Sequence, residues 1–446
     1  MSFPITEASP VRFAGPLPPR ADVVVIGGGV IGVMTAWFLR ERGLSVVVCE
    51  KGRIAGEQSG RNWGWVRQQG RDPDELPIMV ESLSIWKQLA AELGDGLGFR
   101  QTGVLYLAQT KAEIAGFEAW TEHSRAHRLD TRLLAAGETL AMLKGASAPW
   151  QGGLFTASDA RAEPWVAIPT LAAVAEQKGV VIRECCAVRG LDLAAGMVAG
   201  VVTEAGRVAC DHVVVAAGAW SRLFLRQHGV RIPQLSVLAS VAATEPMPEI
   251  FPGNAGDRDF AFRRNADGGL TIAPRARHDF HIGPDAFASF GVYMPVLKND
   301  FRSTSFHCSA PDGYPDAWRT SRRWSLSEES PFERQRVLNP APNMAMIAKV
   351  QDHFAAAFPA LGRPKLKSAW AGMIDSLPDV VPVVDHAPIP GLTIATGMSG
   401  HGFGIGPGMG RVVADLVAGR ATGHDLSRFR LSRFSDGSPI RPGPSL

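Results

Sequence analysis

The chain is poor in cysteine. Only Cys49, Cys185, Cys186, Cys210 and Cys308 occur in 446 residues. The number is odd and no CxxC pair is present, which argues against a disulfide framework and against a cysteine-held zinc site. The adjacent pair in VVIRECCAV reads as two small residues on opposite faces of a strand. Charge of one sign is also lacking. The formal net charge is +3 and the basic residues are scattered, so no electrostatic footprint for a nucleic acid exists. No apolar run reaches the ~20 residues of a membrane span; the nearest, 23–39, is interrupted by glycines. The first twenty residues lack the apolar core of a secretion signal, so a cytoplasmic location is the expectation. His278 and His281, in HDFH, have weak metal-like spacing but no acidic cluster beside them, and no metal is expected. No Ser/His/Asp or Cys/His set is evident.

What is present is an ordinary globular balance, 46% apolar and 20% charged, over a length that suggests two domains. Residues 1–20, with five prolines, read as a flexible lead-in, and residues 436–446 as a disordered tail. Val23–Ile26 is a short β-branched run, 30–42 reads as a helix ended by Gly43, and 45–49 as the next buried strand. Residues 78–93, 111–144 and 165–178 carry helical spacing, and 213–216 is another buried strand. From about 231 to 350, short alternating runs with many aromatics, prolines and glycines predict an antiparallel sheet with long loops. The basic, aromatic stretch 301–324 reads as a solvated excursion, with a substrate entrance as the alternative. The fold class expected is α/β: a Rossmann-type β-α-β unit near the start and an antiparallel sheet further along the chain.

Gly27, Gly29 and Gly32 spell GxGxxG between the first strand and the first helix. The first permits a tight turn, the second lets backbone approach a pyrophosphate, and the third lets helix and strand pack closely. The helix start, with Val30 and Ile31, offers free N–H groups to phosphate. Glu50 ends the second strand, where a carboxylate accepts ribose hydroxyls and repels a 2′-phosphate. Three more segments favour FAD over a pyridine nucleotide. The polar, glycine-rich run after Glu50 (KGRIAGEQSGRNWGW) suits an extended loop beside a long cofactor. VVVAAGAWS at 213–221 is the second. GMSGHGFGIGPGMG at 397–410 is a distant glycine loop before a helix, suited to the flavin edge that becomes negative on reduction.

These segments, with DARAEPW at 159–165 and WAGMIDSLPDVVPVVD at 370–385, make the chain resemble the D-amino-acid oxidase / glycine oxidase / sarcosine oxidase family of flavoenzymes. The resemblance implies FAD-dependent oxidation of a C–N bond in an amine or amino acid, with oxygen or another acceptor reoxidising the cofactor. It implies an FAD domain from 21–105, 155–230 and 365–432, and a substrate domain from 106–154 and 231–364. Expected cofactor contacts are Gly27, Gly29, Val30, Ile31, Gly32, Glu50, Lys51, Ser59, Arg61, Asn62, Gly64, Trp65, Val188 (against adenine), Ala217, Gly218, Trp220, Gly372, Gly400, His401, Gly402, Phe403 and Gly404. No cysteine stands in 370–376, and Arg61 falls where a relative's histidine tether would lie, so the FAD is expected to be non-covalent. Gly404 replaces a family lysine that helps bind a substrate carboxylate. Rival expectations are a pyridine-nucleotide dehydrogenase and a non-catalytic flavin subunit of a larger complex.

Three residues are expected to touch the chemistry: His401, Arg67 and Arg264. His401 either contacts the ring and handles a proton or braces its loop. Arg67 either binds a carboxylate or tunes the flavin, with a structural ion pair as the alternative. Arg263 and Arg264 are strand neighbours, so only one faces the substrate. Trp63 and Trp65 wall the pocket or fill the core. Asp375 and Asp379 read as loop-fixing.

Overall fold

The computed structural model describes residues 4–275, 277–300 and 304–441. Eight strands and four helices position the site: β1 (Val23–Ile26), α1 (Val30–Glu41), β2 (Val46–Cys49), α2 (Leu76–Leu93), α3 (Pro164–Gln177), β3 (Val181–Arg183), β4 (His212–Val215), β5 (Leu235–Thr244), β6 (Leu366–Ser376), β7 (Val383–His386), β8 (Leu392–Thr396) and α4 (Gly402–Val417). A six-stranded sheet runs in the order β7-β8-β4-β1-β2-β3. All its neighbours are parallel except β7, which lies antiparallel on the edge. The central strands are apolar throughout because helices cover one face and further strands and loops the other. This is the α/β, Rossmann-type arrangement expected.

A second, ten-stranded sheet is mainly antiparallel. Its longest pair is β5 with β6, in register from Leu235↔Ser376 to Thr244↔Leu366. Segment 365–376 therefore belongs to this sheet, although it carries cavity residues. Strands Val104–Ala108, Thr131–Ala135 and Gly152–Thr156 join the same sheet. The stretch 111–144, expected to be mostly helical, breaks at Arg128, whose φ of 54° is left-handed, and Thr131–Ala135 pairs as a strand.

The lead-in is not loose. Ile5 and Phe13 are buried, Glu184 accepts from the backbone N–H of Arg12 at 2.6 Å, and Arg53 donates to the carbonyls of Glu7 and Ser9. Two apolar anchors and a buried charge network hold what five prolines suggested was mobile. Residues 1–3, 301–303 and the end of the expected tail, 442–446, lie outside the described residues. The rest of 301–324 is split: Ala310, Tyr314, Ala317 and Trp324 are buried, while Phe306 and Trp318 are exposed.

The helix α4 has glycine at every second position from 402 to 410. Glycine in a helix costs about 1 kcal/mol each relative to alanine. Close approach offsets it. A Cβ on Gly406 would lie 2.4 Å from Val30 Cγ2, on Gly408 2.6 Å from the Ile78 carbonyl, and on Gly410 2.5 Å from Met34 Cβ. The small face of α4 thus lets α1 and α2 pack onto it from two sides. Among the described residues no helix is long and apolar enough to cross a membrane.

Candidate active site

A cavity of about 910 Å³ runs from the end of β1, past β2 and the loop after it, to the start of α4 and on to Tyr106 and Phe117. It sits at the upper end of the range for small-molecule sites. Gly27 makes its turn with φ 111°, and a Cβ there would strike the Ala216 carbonyl at 2.4 Å. A Cβ on Gly32 would lie 2.0 Å from the Gly27 carbonyl, so this glycine sets helix-to-strand distance and does not itself line the cavity. Gly29 caps α1 without a side-chain bond, and Ser59 reaches across the loop so that its Oγ accepts from Val30 N–H at 2.9 Å. The remaining first-turn amides have no helical partner and suit a diphosphate.

Glu50 lies at the cavity wall. Its carboxylate accepts from the N–H groups of Gly28 and Gly52, both at 2.7 Å, yet burial pushes it up to about 7. Lys51 turns from the cofactor path to Glu57 at 2.7 Å and lies over the Trp220 ring at 4.3 Å. Arg61 is buried and donates to the carbonyls of Ile5, Gly56 and Ala371 and to Asn339 Oδ1, so it clamps the loop against β6. Asn62 closes its own turn by accepting from Gly64 N–H at 2.8 Å. Asp375 holds the C-terminal glycine loop, accepting from Gly397 N–H at 2.7 Å; burial pushes it up to about 6.

Of the residues picked from sequence, Gly32, Gly64 and Arg264 do not line the cavity. Gly27, Gly29, Val30, Ile31, Glu50, Lys51, Ser59, Arg61, Asn62, Trp65, Arg67, Val188, Ala217, Gly218, Trp220, Gly372, Gly400, His401, Gly402, Phe403 and Gly404 do. Phe403 is buried and packs its ring 5.3 Å from that of Trp86, so it also ties the start of α4 to α2. Arg264 is placed elsewhere: it donates to the Met247 carbonyl at 2.8 Å on the far side of its strand. Arg263 faces inward but is consumed by a bidentate pair with Glu163 at 2.8 and 3.0 Å. Asp379 pairs with Arg433 at 2.7 Å. His281 stacks on His307, and no metal-like cluster occurs among the described residues.

The far end of the cavity is built around Tyr106. Arg275 lies over its ring at 3.8 Å and Arg67 at 5.7 Å. Neither forms an ion pair among the described residues; Arg275 donates to the Gly256 carbonyl and Arg67 to that of Gln69. Burial, with Arg67 nearby, holds Arg275 below its ordinary value. Gly404 also lines the cavity, and a Cβ there would meet the Trp65 carbonyl and Val66 Cα at 3.2 Å. That tight seat leaves little room for a side chain at 404.

Beneath the start of α4 lies a buried charge cluster that sequence reading missed. Arg71 is 2% and Glu75 0% exposed, 3.9 Å apart, and His401 Nδ1 is 3.4 Å from Glu75. Burial brings Arg71 down to about 10 and His401 down to about 4. Arg71 and Glu75 sit in a loop whose acids and bases, RDPDE, look like ordinary solvated charge. Arg275 had a faint signal, as the first cation beyond the strand Leu270–Ala273.

The comparisons agree with this geometry. A family model described as FAD dependent oxidoreductase (DAO) matches residues 22–416. The beta subunit of sarcosine oxidase from Rhizobium meliloti (strain 1021) is 26% identical, over 94% of this chain and 89% of its own. The L-amino acid deaminase from Proteus myxofaciens, solved in complex with anthranilate, is 32% identical with a TM-score of 0.91, covering 96% of this chain and 97% of that one. The glycine oxidase from Geobacillus kaustophilus, at 20% identity and a TM-score of 0.73, shares the fold. Nothing in these findings supports a pyridine-nucleotide dehydrogenase. The residues that cradle a diphosphate and a ribose fit the cofactor that the family requires: the chain belongs to the DAO family of FAD-dependent oxidoreductases.

Proposed function

We propose that the protein oxidises the C–N bond of an α-amino acid, whose carboxylate is gripped by Arg275 and Arg67. The observation that carries this reading is the pair of guanidiniums on Tyr106 with no ion-paired carboxylate among the described residues, in the same cavity as the glycine turn of β1 and the start of α4. Guanidinium forks match a carboxylate, and desolvation there strengthens the attraction. FAD, when bound, supplies the two-electron acceptor for the carbon bearing nitrogen, and the imine product hydrolyses.

The chain's own residues hold and orient. The amides of α1's first turn take the diphosphate, Glu50 the ribose, and Val188 borders the adenine end. Amides at the start of α4 favour negative charge on the flavin's pyrimidine edge. Trp65 and Tyr106, both buried, wall the reacting end and keep water from it. With no cysteine in 370–376 and Arg61 committed to four protein acceptors, the FAD is held without a covalent bond. Five free cysteines suit a reducing, cytoplasmic location.

The test is anaerobic bleaching of the yellow holoenzyme by a panel of L-, D- and N-methyl α-amino acids. The L series is expected to bleach it, as the named activity of the relatives at 31–32% identity suggests. An N-methyl preference would instead align it with the sarcosine oxidase relatives. Admitting air to the bleached enzyme separates oxygen from another acceptor. Arg275→Met is expected to raise the substrate concentration needed by about 10- to 100-fold, from the ~1.5–3 kcal/mol of a hydrogen bond to a charged group. A flavin that no amino acid reduces would overturn the reading and favour a non-catalytic flavin subunit.

A further inference from the structure

The last residue before α2 and the last before α4 meet under the cavity floor. Glu75 is wholly buried, and neither of its oxygens has a hydrogen-bond partner of ordinary geometry among the described residues. Arg71 approaches to 3.9 Å but aims other donors at the carbonyls of Arg67 and His401, at 3.2 and 3.0 Å. His401 Nδ1 is buried too, has no other partner, and stands 3.4 Å from Glu75. The imidazole keeps 20% exposure, and it lines the cavity.

A neutral imidazole carries one N–H and one bare nitrogen. Beside an ionised carboxylate the N–H belongs on Nδ1, as it does in carboxylate–histidine pairs elsewhere. Nε2 is then the bare atom, on a ring that lines the cavity. We propose that Glu75 is a positioning residue that holds His401 as the Nδ1–H tautomer, so that Nε2 accepts a hydrogen bond from the substrate's amine nitrogen. This rests on the reading that an α-amino acid occupies the cavity.

The proposal completes the recognition. Arg67 and Arg275 offer donors only, whereas an amine needs an acceptor. Other acids at the cavity wall are engaged: Glu50 by two backbone N–H groups, Glu57 by Lys51 and Trp220, Asp375 by Gly397 and Thr396, and Glu113 by its own helix cap. Burial, then Arg71 and Arg67, hold the ring neutral at pH 7 against the pull of Glu75. Glu75 stays ionised: burial pushes it up, but a hydrogen bond from His401 and the nearby Arg71 and Arg67 charges bring it below the ordinary carboxylate range.

The test uses the FAD-loaded full chain with two probes, benzoate and anthranilate, which share a carboxylate and differ by an adjacent amine. Binding is read from the flavin absorption, and the ring tautomer from ¹⁵N-histidine NMR. Wild type is expected to hold anthranilate more tightly, with His401 in the Nδ1–H form at pH 7. His401→Phe, which keeps the ring's bulk, should lose anthranilate affinity roughly three- to tenfold and leave benzoate within about twofold, the range of one hydrogen bond. Glu75→Leu should do the same, while Glu75→Gln, which keeps an acceptor, should restore the preference. Should Glu75→Leu fail to fold, His401→Phe and the NMR of wild type still decide. An Nε2–H or protonated ring at pH 7, or equal anthranilate binding by His401→Phe and wild type, overturns the proposal alone. A wild type that holds neither probe overturns it together with the carboxylate reading.

Discussion

Replacing Gly410 by alanine sets two effects of opposite sign against each other. In an isolated helix the change stabilises by about 1 kcal/mol, because alanine loses less backbone entropy. In α4 the new methyl would lie 2.5 Å from Met34 Cβ, 2.7 Å from the Met34 carbonyl carbon and 2.8 Å from Thr35 N. Two of those three atoms are backbone of α1, so no rotamer change relieves the clash, and the helices must separate by about 1 Å. Overpacking of this kind costs about 1–3 kcal/mol, and more where backbone must shift. The clash therefore wins, and Gly410→Ala is expected to be about 1–2 kcal/mol less stable. The displaced helix is also the one whose first turn would face the diphosphate, so FAD retention should fall with stability. Gly291→Ala is the control: it lies inside the helix Pro284–Asp300, is exposed, and its Cβ would meet nothing within 4 Å. Urea unfolding followed by circular dichroism and by flavin release measures both variants. A Gly410→Ala midpoint equal to or above wild type, with full flavin content, would refute the reasoning about the close seat of α1 on α4.

Three further outcomes follow from other contacts. Burial pushes Glu50 up to about 7, so the carboxylate needed for the ribose is formed only as pH rises through that value; apoprotein affinity for FAD, by fluorescence titration, should improve from pH 5.5 to 8.5. Because its folded value lies above the ordinary 4.5, Glu50 binds its proton more strongly in the folded state, and its contribution to apoprotein stability declines over the same rise. Acid precipitation of the holoenzyme should release all the yellow colour to the supernatant, and colour in the pellet would contradict a non-covalent FAD. Arg433→Ala leaves the buried Asp379 carboxylate, which it binds at 2.7 and 3.1 Å, with only Arg428 at 3.9 Å and the Val381 N–H; a stability loss of about 2–4 kcal/mol is expected in calorimetry, with unchanged flavin absorption in the folded fraction.

The nucleotide half of the site was legible because its physics is local. A turn needing positive φ, an amide-rich helix start and a carboxylate at the next strand end are fixed by neighbours within fifty residues, and the chain spells them in order. The substrate half was legible only in part: Arg67 stood out as a candidate carboxylate binder, whereas Tyr106 and Arg275 carry little signal alone and gain meaning only in company. Arg67, Tyr106 and Arg275 come from a loop, a strand interior and a strand end, and only the ten-stranded sheet brings them together. The same logic misdirected the choice between Arg263 and Arg264. Alternation along the strand correctly separated their faces, but it could not reveal that the inward one is claimed by Glu163, a hundred residues earlier. Glu75 is the clearest case. An acid ahead of a helix reads as a capping or solvated charge, yet this one makes no cap bond and is wholly buried. What distinguishes it is the histidine across from it, more than three hundred residues away in the chain. A buried carboxylate persists only where a partner compensates it. The partner here lines the cavity, so the compensation and the recognition of an amine are one arrangement.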